Sequence, residues 1–326
     1  MSVSATPHSI DADWIDPLQV HIRTARHGAG NVLGKAPDLQ ASYMLGMPHL
    51  SMGGLSENWL LKECGHMHWL RLARRLGLDA PDFKDTSGRP VNAAFTALRL
   101  SDARLDQVSV NARLDVRTSL RMLSKTEAVS THVLVSENMF IGHLALISVF
   151  VARARKSDNR SVARAHAMLH HPLPDGRDAL NGSEIGNALN GASHDFRKGH
   201  WDVHWGFRRA EACEIESFSV WPCPLSDFNG AGFLYFANFQ TFVDRAQWHW
   251  TAHRDTIRRT VHREIFYGGN VNVGESLRIV LCGIERETPL KTDTFENTWC
   301  RIIRDADGRV IADVFTRKRL EDLPRT

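Results

Sequence analysis

Apolar residues recur with a helical period over residues 57–76, in the first half of the chain. The positions on the apolar face are Leu61, Cys64, His68 and Leu72. This spacing predicts an amphipathic helix, and Gly77 just beyond it suits a C-terminal cap. Apolar runs further along predict strands over residues 113–123, 131–135 and 141–154.

The second half of the chain repeats this order of elements. A turn-rich stretch at residues 226–232 precedes a predicted helix that starts near Asn238. Strands are predicted over residues 276–284, 298–303 and 310–315, with a hairpin turn at 305–308. The residues expected on the buried face of this helix are Phe239, Phe242, Val243, Ala246 and Trp250.

Residues 157–200 lie between the two halves and are rich in Asn, Gly, Ser and Pro. We interpret this segment as a linker with one short helix over residues 162–170. The predicted domains are therefore residues 1–156 and 201–326. Each is an α+β unit in which an antiparallel sheet wraps around one helix. A single large α+β domain is the alternative, and the repeated order of elements favours duplication.

Composition narrows the class of protein without specifying its chemistry. The chain has 326 residues, 43% apolar and 24% charged, which are values typical of globular domains. The five cysteines are scattered without a C-x-x-C pair, so a disulfide framework is not expected. No secretory signal and no membrane-length apolar run occur, and we expect a cytoplasmic protein. The net charge of +3 is too small to identify a partner.

The turn before the second helix carries a recognisable pattern. Residues 227–239 read Asp-Phe-Asn-Gly-Ala-Gly-Phe-Leu-Tyr-Phe-Ala-Asn-Phe, and residues 242–246 read Phe-Val-Asp-Arg-Ala. This resembles the pattern of hydroxybenzoyl-CoA thioesterases: D-x-D-x-x-G, two apolar residues, Y/W-x-x-N/S-Y, then an aromatic, an acidic and a small residue. The match has no gap. The resemblance implies a hotdog fold and a thioester substrate.

One departure from that pattern bears on the reaction. In the thioesterases the second acid of D-x-D promotes attack on the thioester, and Asn229 stands at that position here. A neutral amide cannot act as a general base, although it can donate a hydrogen bond to a carbonyl or enolate oxygen. Hydrolysis is therefore disfavoured, and Asn229 is a candidate catalytic residue that holds the oxyanion.

Over the whole chain, the sequence resembles the LnmK-like double-hotdog family of polyketide pathways. Residues 46–50 (Gly-Met-Pro-His-Leu) and 227–237 look like that family's paired motifs. The resemblance implies an acyltransferase and decarboxylase of secondary metabolism. Its substrate would be a malonyl-type thioester of coenzyme A (CoA) or an acyl carrier protein. A tyrosine is implicated in the family's chemistry, and Tyr43 and Tyr235 are the candidates near the two motifs.

Further site residues follow from the family pattern and from the need for an oxyanion donor at a helix N-terminus. The backbone N–H of Phe236 is expected to bind the thioester oxygen, and Ser56 is its counterpart in the first half. His49 is a candidate general acid that reprotonates an enolate. Helix capping and turn formation are the competing structural roles of the Asn and Gly residues. The remaining predicted substrate-binding residues are Asn58, Gly232 and Asn238.

Other polar clusters have simpler explanations. Cys64 and His68 share a helix face that excludes His66, so a zinc site is not expected. The His249/His253 pair is expected on the solvated face of the second helix. The basic run after it (Arg254, Arg258, Arg259, His262 and Arg263) is more readily a solvated face than a phosphate site. No recognised fold motif accompanies it, so no nucleic-acid partner is expected.

The expected partners are acyl-CoA, an acyl carrier protein or both, with no membrane and no separate cofactor. CoA or phosphopantetheine would enter as part of the substrate. Two fused hotdogs satisfy the usual hotdog pairing within one chain, and a homodimer is also possible. Two alternatives stay open: hydrolysis or dehydration of an acyl thioester, the latter by His49 with Asp227 or Glu57, and a non-catalytic acyl-binding or carrier-docking module.

Overall fold

Two long helices, one in each half of the chain, lie against the same face of an antiparallel sheet in the computed structural model. The structure describes residues 23–24, 39–168, 184–251, 256–290 and 293–322. The helices are α1 (Glu57–Arg75), α2 (Glu184–Lys198), α3 (Pro224–Asp227) and α4 (Phe236–Trp250).

The strands of the first half are β1 (Arg23–Thr24), β2 (Leu39–Met44), β3 (Leu50–Ser51), β4 (Gly54–Leu55), β5 (Asn92–Ser101), β6 (Arg113–Met122), β7 (Glu127–Ser136), β8 (Met139–Arg153) and β9 (Val162–Arg164). Those of the second half are β10 (Val203–His204), β11 (Phe207–Arg208), β12 (Glu216–Val220), β13 (Thr256–Tyr267), β14 (Leu277–Leu290), β15 (Asp293–Arg304) and β16 (Arg309–Asp322). The predicted helices at 57–76 and near Asn238 are confirmed, and each of the six predicted strands overlaps an observed strand. Strands β7, β14, β15 and β16 each extend four to seven residues beyond one predicted end.

The two halves have the same strand order. The main sheet runs β1-β2-β6-β7-β8-β5-β13-β16-β15-β14-β12, and every pair in it is antiparallel. On each side of the join, the first strand after the long helix is innermost, and the last strand of the main sheet before that helix (β2 or β12) is at or near the outer edge. Each half is therefore a sheet wrapped around a helix, which is the α+β arrangement that the sequence predicts.

The halves are joined edge to edge through β5 and β13. Their register pairs Leu100 with Arg263 and ends with Ala97 opposite Phe266. An ion pair of 2.6 Å between Arg99 Nε and Glu264 Oε1 crosses this seam. Residues 92–96 of β5 continue beyond the last pair without a partner in β13. The two halves consequently separate at this point and leave an opening.

The described part of the basic run after the second helix, residues 258–263, lies in strand β13, and the solvated face expected for it is wrong. Arg263 is fully buried rather than solvated. Alternation along β13 directs Ile265 to the face that carries α1 and α4 and Phe266 to the opposite face. The many charged residues of this strand hide that alternation in the sequence. His253 and Arg254 lie outside the described residues.

The segment between the halves contains packed structure. Val162–Arg164 is strand β9, paired with β8, and residues 165–168 are not helical, so the helix predicted over 162–170 is wrong over 162–168. The end of that prediction, residues 169 and 170, lies outside the described chain. Helix α2 packs on the sheet against β5 and β8, where Leu189 is buried with Phe266. The domain limits at 156 and 201 stay a prediction.

Candidate functional site

A cavity of about 850 Å³ occupies the opening where the two halves separate. It is lined by residues 92–96 of β5, by residues 267–270 at the end of β13 and just after it, and by the first turn of α4. Its walls are largely apolar and aromatic, which suits an acyl chain. The aromatic residues around it include Trp69, Phe95, Tyr235, Phe236 and Phe239.

The N-terminus of α4 at this cavity is not capped. Tyr235 is its N-cap residue and no side chain bonds to the first turn, whereas Ser56 Oγ caps α1 by accepting from Trp59 N–H at 3.3 Å. The first N–H groups of a helix have no partner within the helix. Those of Phe236 and Ala237 make no hydrogen bond within the described chain. This helix end therefore offers free donors and a positive dipole end beside an apolar cavity.

Asn229 lines the cavity from the loop of residues 227–235, here called the motif loop. Its Oδ1 accepts hydrogen bonds from the N–H groups of Ala231 (3.0 Å) and Phe233 (3.1 Å). These two bonds fix which side of the amide carries the oxygen. The Nδ2 group makes no hydrogen bond to any residue that the structure describes. Asn229 thus both folds the loop and keeps a free donor at the cavity.

Two residues that the sequence did not single out hold the motif loop in place. Asn159 Nδ2 donates to the Gly232 carbonyl at 2.7 Å, and its Oδ1 accepts from Arg153 Nε at 2.8 Å. Arg153 also donates to the Ala231 carbonyl at 2.6 Å and lies 3.7 Å from the Phe233 ring centroid. Gly232 has φ +73°, a conformation that favours glycine, and it does not line the cavity. Gly232 therefore serves to form the turn of the motif loop.

Tyr235 is the candidate tyrosine that reaches the cavity. Its hydroxyl has no hydrogen-bond partner among the described residues, and its ring stacks on Trp69. Burial, with a smaller effect of the Glu63 carboxylate, raises the pKa of Tyr235. The phenol therefore stays protonated at neutral pH.

Lys62, on α1, is a cavity residue that the sequence did not reveal. Its Nζ lies 5.6 Å from the centroid of the Tyr235 ring. No carboxylate of the described chain lies within ion-pair distance of it. An unpaired ammonium therefore stands beside the residue that precedes α4. The signal that could have found it is its position, one turn after the α1 N-terminus on a helix that faces α4.

Tyr43 and His49 lie outside this cavity. Tyr43 is buried, and its hydroxyl donates to Glu63 Oε1 at 2.7 Å. Burial and the Glu63 carboxylate raise the pKa of Tyr43. His49 Nδ1 accepts from the Gly46 N–H at 2.8 Å, and its carbonyl accepts from the Ser56 N–H at 2.9 Å. These contacts stabilise the turn before α1. The Ser56 N–H is therefore already occupied, unlike that of Phe236.

Asn58 and Asn238 meet where the two helices cross. Asn58 Nδ2 lies 3.0 Å from Asn238 Oδ1 and 3.1 Å from the Ala237 carbonyl. Asn238 is buried, and its own Nδ2 donates to the Ser226 carbonyl at 3.2 Å. Neither residue lines the large cavity. Asn58 joins α1 to α4, and Asn238 joins α4 to the motif loop, because its Nδ2 also lies 3.3 Å from the Asp227 carbonyl.

The N-terminus of α1 lies at a smaller cavity of about 390 Å³. Charged side chains surround this helix end. Arg263 Nε lies 2.7 Å from Glu57 Oε1, and Arg263 Nη2 lies 2.9 Å from Asp244 Oδ1. Lys318 Nζ lies 2.6 Å from the same Asp244 oxygen. Burial opposes ionisation, but Arg263 and Lys318 lower the pKa of Asp244 overall. The two helix ends, equivalent in the duplication, therefore differ in chemistry.

The pairing of His49 with Asp227 or Glu57, which dehydration would require, has no geometric support. Asp227 Oδ2 accepts from the Cys223 N–H at 2.7 Å, and Glu57 pairs with Arg263. Neither carboxylate forms a hydrogen bond or ion pair with His49 in the described chain. Dehydration by this route is therefore not proposed.

The helix face that carries Cys64 and His68 is buried, and His66 is exposed, as the spacing predicts. No group of three or more metal-binding side chains comes together among the residues described. His68 instead contacts Ser130 Oγ through Nδ1 and Ser148 Oγ through Nε2, both at 2.7 Å. His132 joins the same network, 2.9 Å from Ser130 Oγ. Burial lowers the pKa of both histidines to about 3.

Comparison with known proteins identifies the fold. No family model and no curated protein sequence matches the chain. The chain is similar in structure to the 12:0-ACP thioesterase from Umbellularia californica, with a TM-score of 0.57 and 9% identity over 87% of this chain and 98% of that one. It is also similar to an acyl-ACP thioesterase from Bacteroides thetaiotaomicron, with a TM-score of 0.50 and 10% identity over 86% and 97%.

The sheet-wrapped helices of the two halves, together with these full-length structural matches, define a double hotdog fold. The fold predicted from the sequence is therefore confirmed. Membership of the LnmK-like family stays a prediction. In the described part of the chain, no helix is both long and apolar enough to cross a membrane.

Proposed function

We propose that the protein is an enzyme that processes acyl thioesters in the large cavity, as a decarboxylase, an acyltransferase or both, on a malonyl-type group. One observation carries the proposal. The described lining holds cations and hydrogen-bond donors but no carboxylate, imidazole or thiol. Such a site suits a reaction that develops negative charge and needs no general base. CoA or phosphopantetheine would take part as a portion of the substrate.

Decarboxylation fits this arrangement because it needs no base. The electron pair released from the broken carbon–carbon bond needs only the thioester carbonyl to accept it. The bond between the carboxylate and the α-carbon breaks, carbon dioxide leaves, and the electron pair moves into the thioester carbonyl to form an enolate. The free N–H groups at the start of α4 would hold the enolate oxygen, with Asn229 Nδ2 as a further donor. The ammonium of Lys62 adds positive charge beside the same helix end.

Tyr235 is suited to complete the reaction as a proton donor. Its hydroxyl is protonated at neutral pH, lines the cavity and is not engaged elsewhere in the described chain. It would protonate the α-carbon of the enolate and recover its proton from solvent. Acyl transfer would use the same oxyanion donors. The thiol of the acceptor attacks the carbonyl, its proton goes to the leaving thiolate, and one thioester replaces another.

The test is incubation of the purified protein with malonyl-CoA and methylmalonyl-CoA, with and without an acyl carrier protein that bears phosphopantetheine. Evolved carbon dioxide, free thiol and acylated carrier are measured together. We expect carbon dioxide, or acylated carrier, in amounts that depend on Tyr235. If neither appears across a panel of malonyl-type thioesters, the proposal is wrong.

Hydrolysis is the second candidate. The two solved structures described above bear thioesterase names, and their fold covers almost the whole chain. A bound water could attack a carbonyl held at the α4 N-terminus, although no described lining residue can activate it as a base. Release of free thiol from a simple acyl thioester, with no loss of carbon dioxide from a malonyl one, would favour this candidate. Saturable binding with no product would favour a non-catalytic acyl-binding protein.

A further inference from the structure

A second cavity, of about 480 Å³, adjoins the acyl cavity. Tyr267, Gly268 and Arg309 line both cavities, so the two share a wall. The Tyr267 hydroxyl donates to the Phe236 carbonyl at 3.1 Å, which places this wall next to the first turn of α4. A ligand whose reactive group lies at the α4 N-terminus could therefore extend into the second cavity.

The lining of the second cavity is strongly cationic. Five cations surround it and Asp313 is the single described acid. Two of the cations have carboxylate partners: Arg197 lies 3.0 Å from Glu127, and Arg301 lies 3.2 Å from Asp313. The remaining three are Lys198, Arg209 and Arg309.

These three cations have no carboxylate within ion-pair distance in the described chain. Arg309 donates to the Gly268 carbonyl at 3.1 Å, and Arg209 donates to the Gly199 carbonyl. Lys198 lies in the last turn of α2, where a cation also offsets the helix dipole. The two arginines have no such role. Uncompensated positive charge around a concave surface attracts anions, and arginine suits phosphate in particular.

We propose that the second cavity binds the phosphate groups of a CoA thioester whose acyl group occupies the first cavity. The inference rests on the proposed function, because it assigns the donor used at that site. Phosphopantetheine on a carrier protein offers one phosphodiester with a single negative charge. The nucleotide end of CoA carries a diphosphate and a 3′-phosphate. Three unpaired cations match the several phosphate charges of CoA better than the single charge of carrier-bound phosphopantetheine.

The test compares the binding of CoA, 4′-phosphopantetheine and pantetheine to the full chain by calorimetry. We expect CoA to bind at least about tenfold more tightly than the other two, with an advantage that decreases as salt increases. Arg209→Gln and Arg309→Gln should each reduce CoA affinity about tenfold. Arg209 lines the second cavity and not the acyl cavity, so Arg209→Gln should leave pantetheine binding unchanged. Both side chains are exposed, so folding should be preserved. Arg208→Gln, an exposed neighbour outside both cavities, is the matched control.

Equal binding of CoA and pantetheine, or no effect of the two substitutions, would overturn the proposal. Phosphopantetheine binding as tight as that of CoA would overturn the assignment of the nucleotide end. Turnover of pantetheine thioesters separates this inference from the proposed function, because those substrates lack the nucleotide. If only the inference fails, they are processed without any advantage for CoA thioesters. If only the proposed function fails, the binding differences persist without turnover.

Discussion

The Nδ2 group of Asn58 donates a hydrogen bond of 3.0 Å to Oδ1 of Asn238, and so joins the first turns of the two long helices. The two residues occupy corresponding places in the duplicated halves, but their bonding differs. Asn238 donates from its own Nδ2 to the Asp227 carbonyl of the motif loop, whereas Asn58 donates from its Nδ2 to the Ala237 carbonyl of α4. This contact between corresponding residues therefore connects two helix N-termini that differ in chemistry. Of the two, the N-terminus of α4 is the one that no side chain of the described chain caps, and it is left free for a ligand.

The first prediction concerns stoichiometry. We expect one molecule of a non-hydrolysable acyl-CoA analogue to bind per chain, at the uncapped α4 N-terminus. The α1 N-terminus is capped by Ser56 and surrounded by the Glu57–Arg263 ion pair. Calorimetric titration measures the ratio directly. A ratio of two would show that the charged helix end also accepts substrate.

The second prediction separates the two candidate tyrosines. Tyr235→Phe should lower kcat for product formation by about a hundredfold or more, because it removes the proton donor. Stability should change little, since the hydroxyl has no hydrogen-bond partner in the described chain. Tyr43→Phe should do the reverse. It loses the 2.7 Å bond to Glu63, which costs about 1 kcal/mol in the free energy of unfolding, and should leave kcat nearly unchanged.

Steady-state kinetics and urea unfolding of both variants provide the check. Proton transfer can also be followed as the ratio of kcat in water to kcat in heavy water, because a smaller fraction of folded enzyme would not alter that ratio. If Tyr235→Phe keeps the rate and the isotope effect of the original protein, another group supplies the proton.

The third prediction concerns Asn229. Its Oδ1 accepts from two backbone N–H groups, and a carboxylate oxygen can accept the same bonds. Asn229→Asp should therefore keep the motif loop folded while it brings negative charge towards the developing oxyanion. We expect decarboxylation to decrease about a hundredfold, the scale of losing one oxyanion donor, and thioester hydrolysis to increase. Product analysis by mass spectrometry measures both reactions.

Asn229→Ala is the comparison variant, since it removes the donor and the loop-forming acceptor together. It should lower both reactions. An Asp variant that decarboxylates normally would show that Asn229 acts only on the loop.

The fourth prediction is a loss of stability in mild acid. Burial holds the pKa of His68 and His132 near 3, below the value of about 6.5 expected in the unfolded chain. Unfolding therefore takes up protons once the pH is below about 6.5, and the stability due to the neutral histidines is lost progressively as the pH falls towards 3. Between pH 7 and pH 5.5 we expect a loss of about 2 kcal/mol.

Urea unfolding at several pH values between 7 and 5.5 measures this loss. Few carboxylates titrate in that range, so their contribution is small. His132→Asn, which keeps a polar side chain beside Thr118 and Ser130, should reduce the dependence on pH by about half. An unchanged slope would mean that other groups take up the protons.

The fifth prediction concerns the buried charge at the α1 N-terminus. Arg263→Met leaves Glu57 and Asp244 without their shared cation, and removal of one partner from a buried ion pair costs about 3–5 kcal/mol. Arg286→Met, at an exposed arginine that pairs with Glu296, should cost less than about 1 kcal/mol. Chemical denaturation of the two variants makes the comparison. Similar costs would mean that the buried network does not hold the two helices in place.

Helices and strands in which apolar residues recur with one clear period could be predicted from the sequence. The apolar stripe of α1 and the alternating runs of β6 and β16 are predicted because one face of each is apolar. Strand β13 was missed because Arg263 and Glu264 occupy buried positions, where ion pairs rather than apolar contacts satisfy them. The Arg263–Glu57 and Arg99–Glu264 pairs each join residues more than a hundred positions apart, so no local pattern records them.

The site was accessible in part. The family pattern directed attention to Asn229, Tyr235 and Phe236, which line one cavity. The capping of α1 by Ser56 was not predicted, because capping was considered as a competing role for the Asn residues alone. Lys62 and Asn159 reach the site through tertiary packing, and the position of Lys62 one turn into α1 is a weak local signal of it.

The seam between β5 and β13 has a consequence for how the two helix ends could change over time. In a dimer of identical subunits every substitution appears at both symmetric positions, so neither end can be altered alone. Here the two sheets belong to one polypeptide, joined at Arg99 and Glu264, and each end mutates independently. Fusion therefore lets the two helix ends take different roles. The N-terminus of α1 can gain charged residues that stabilise the fold, while that of α4 keeps free backbone donors for a reactant.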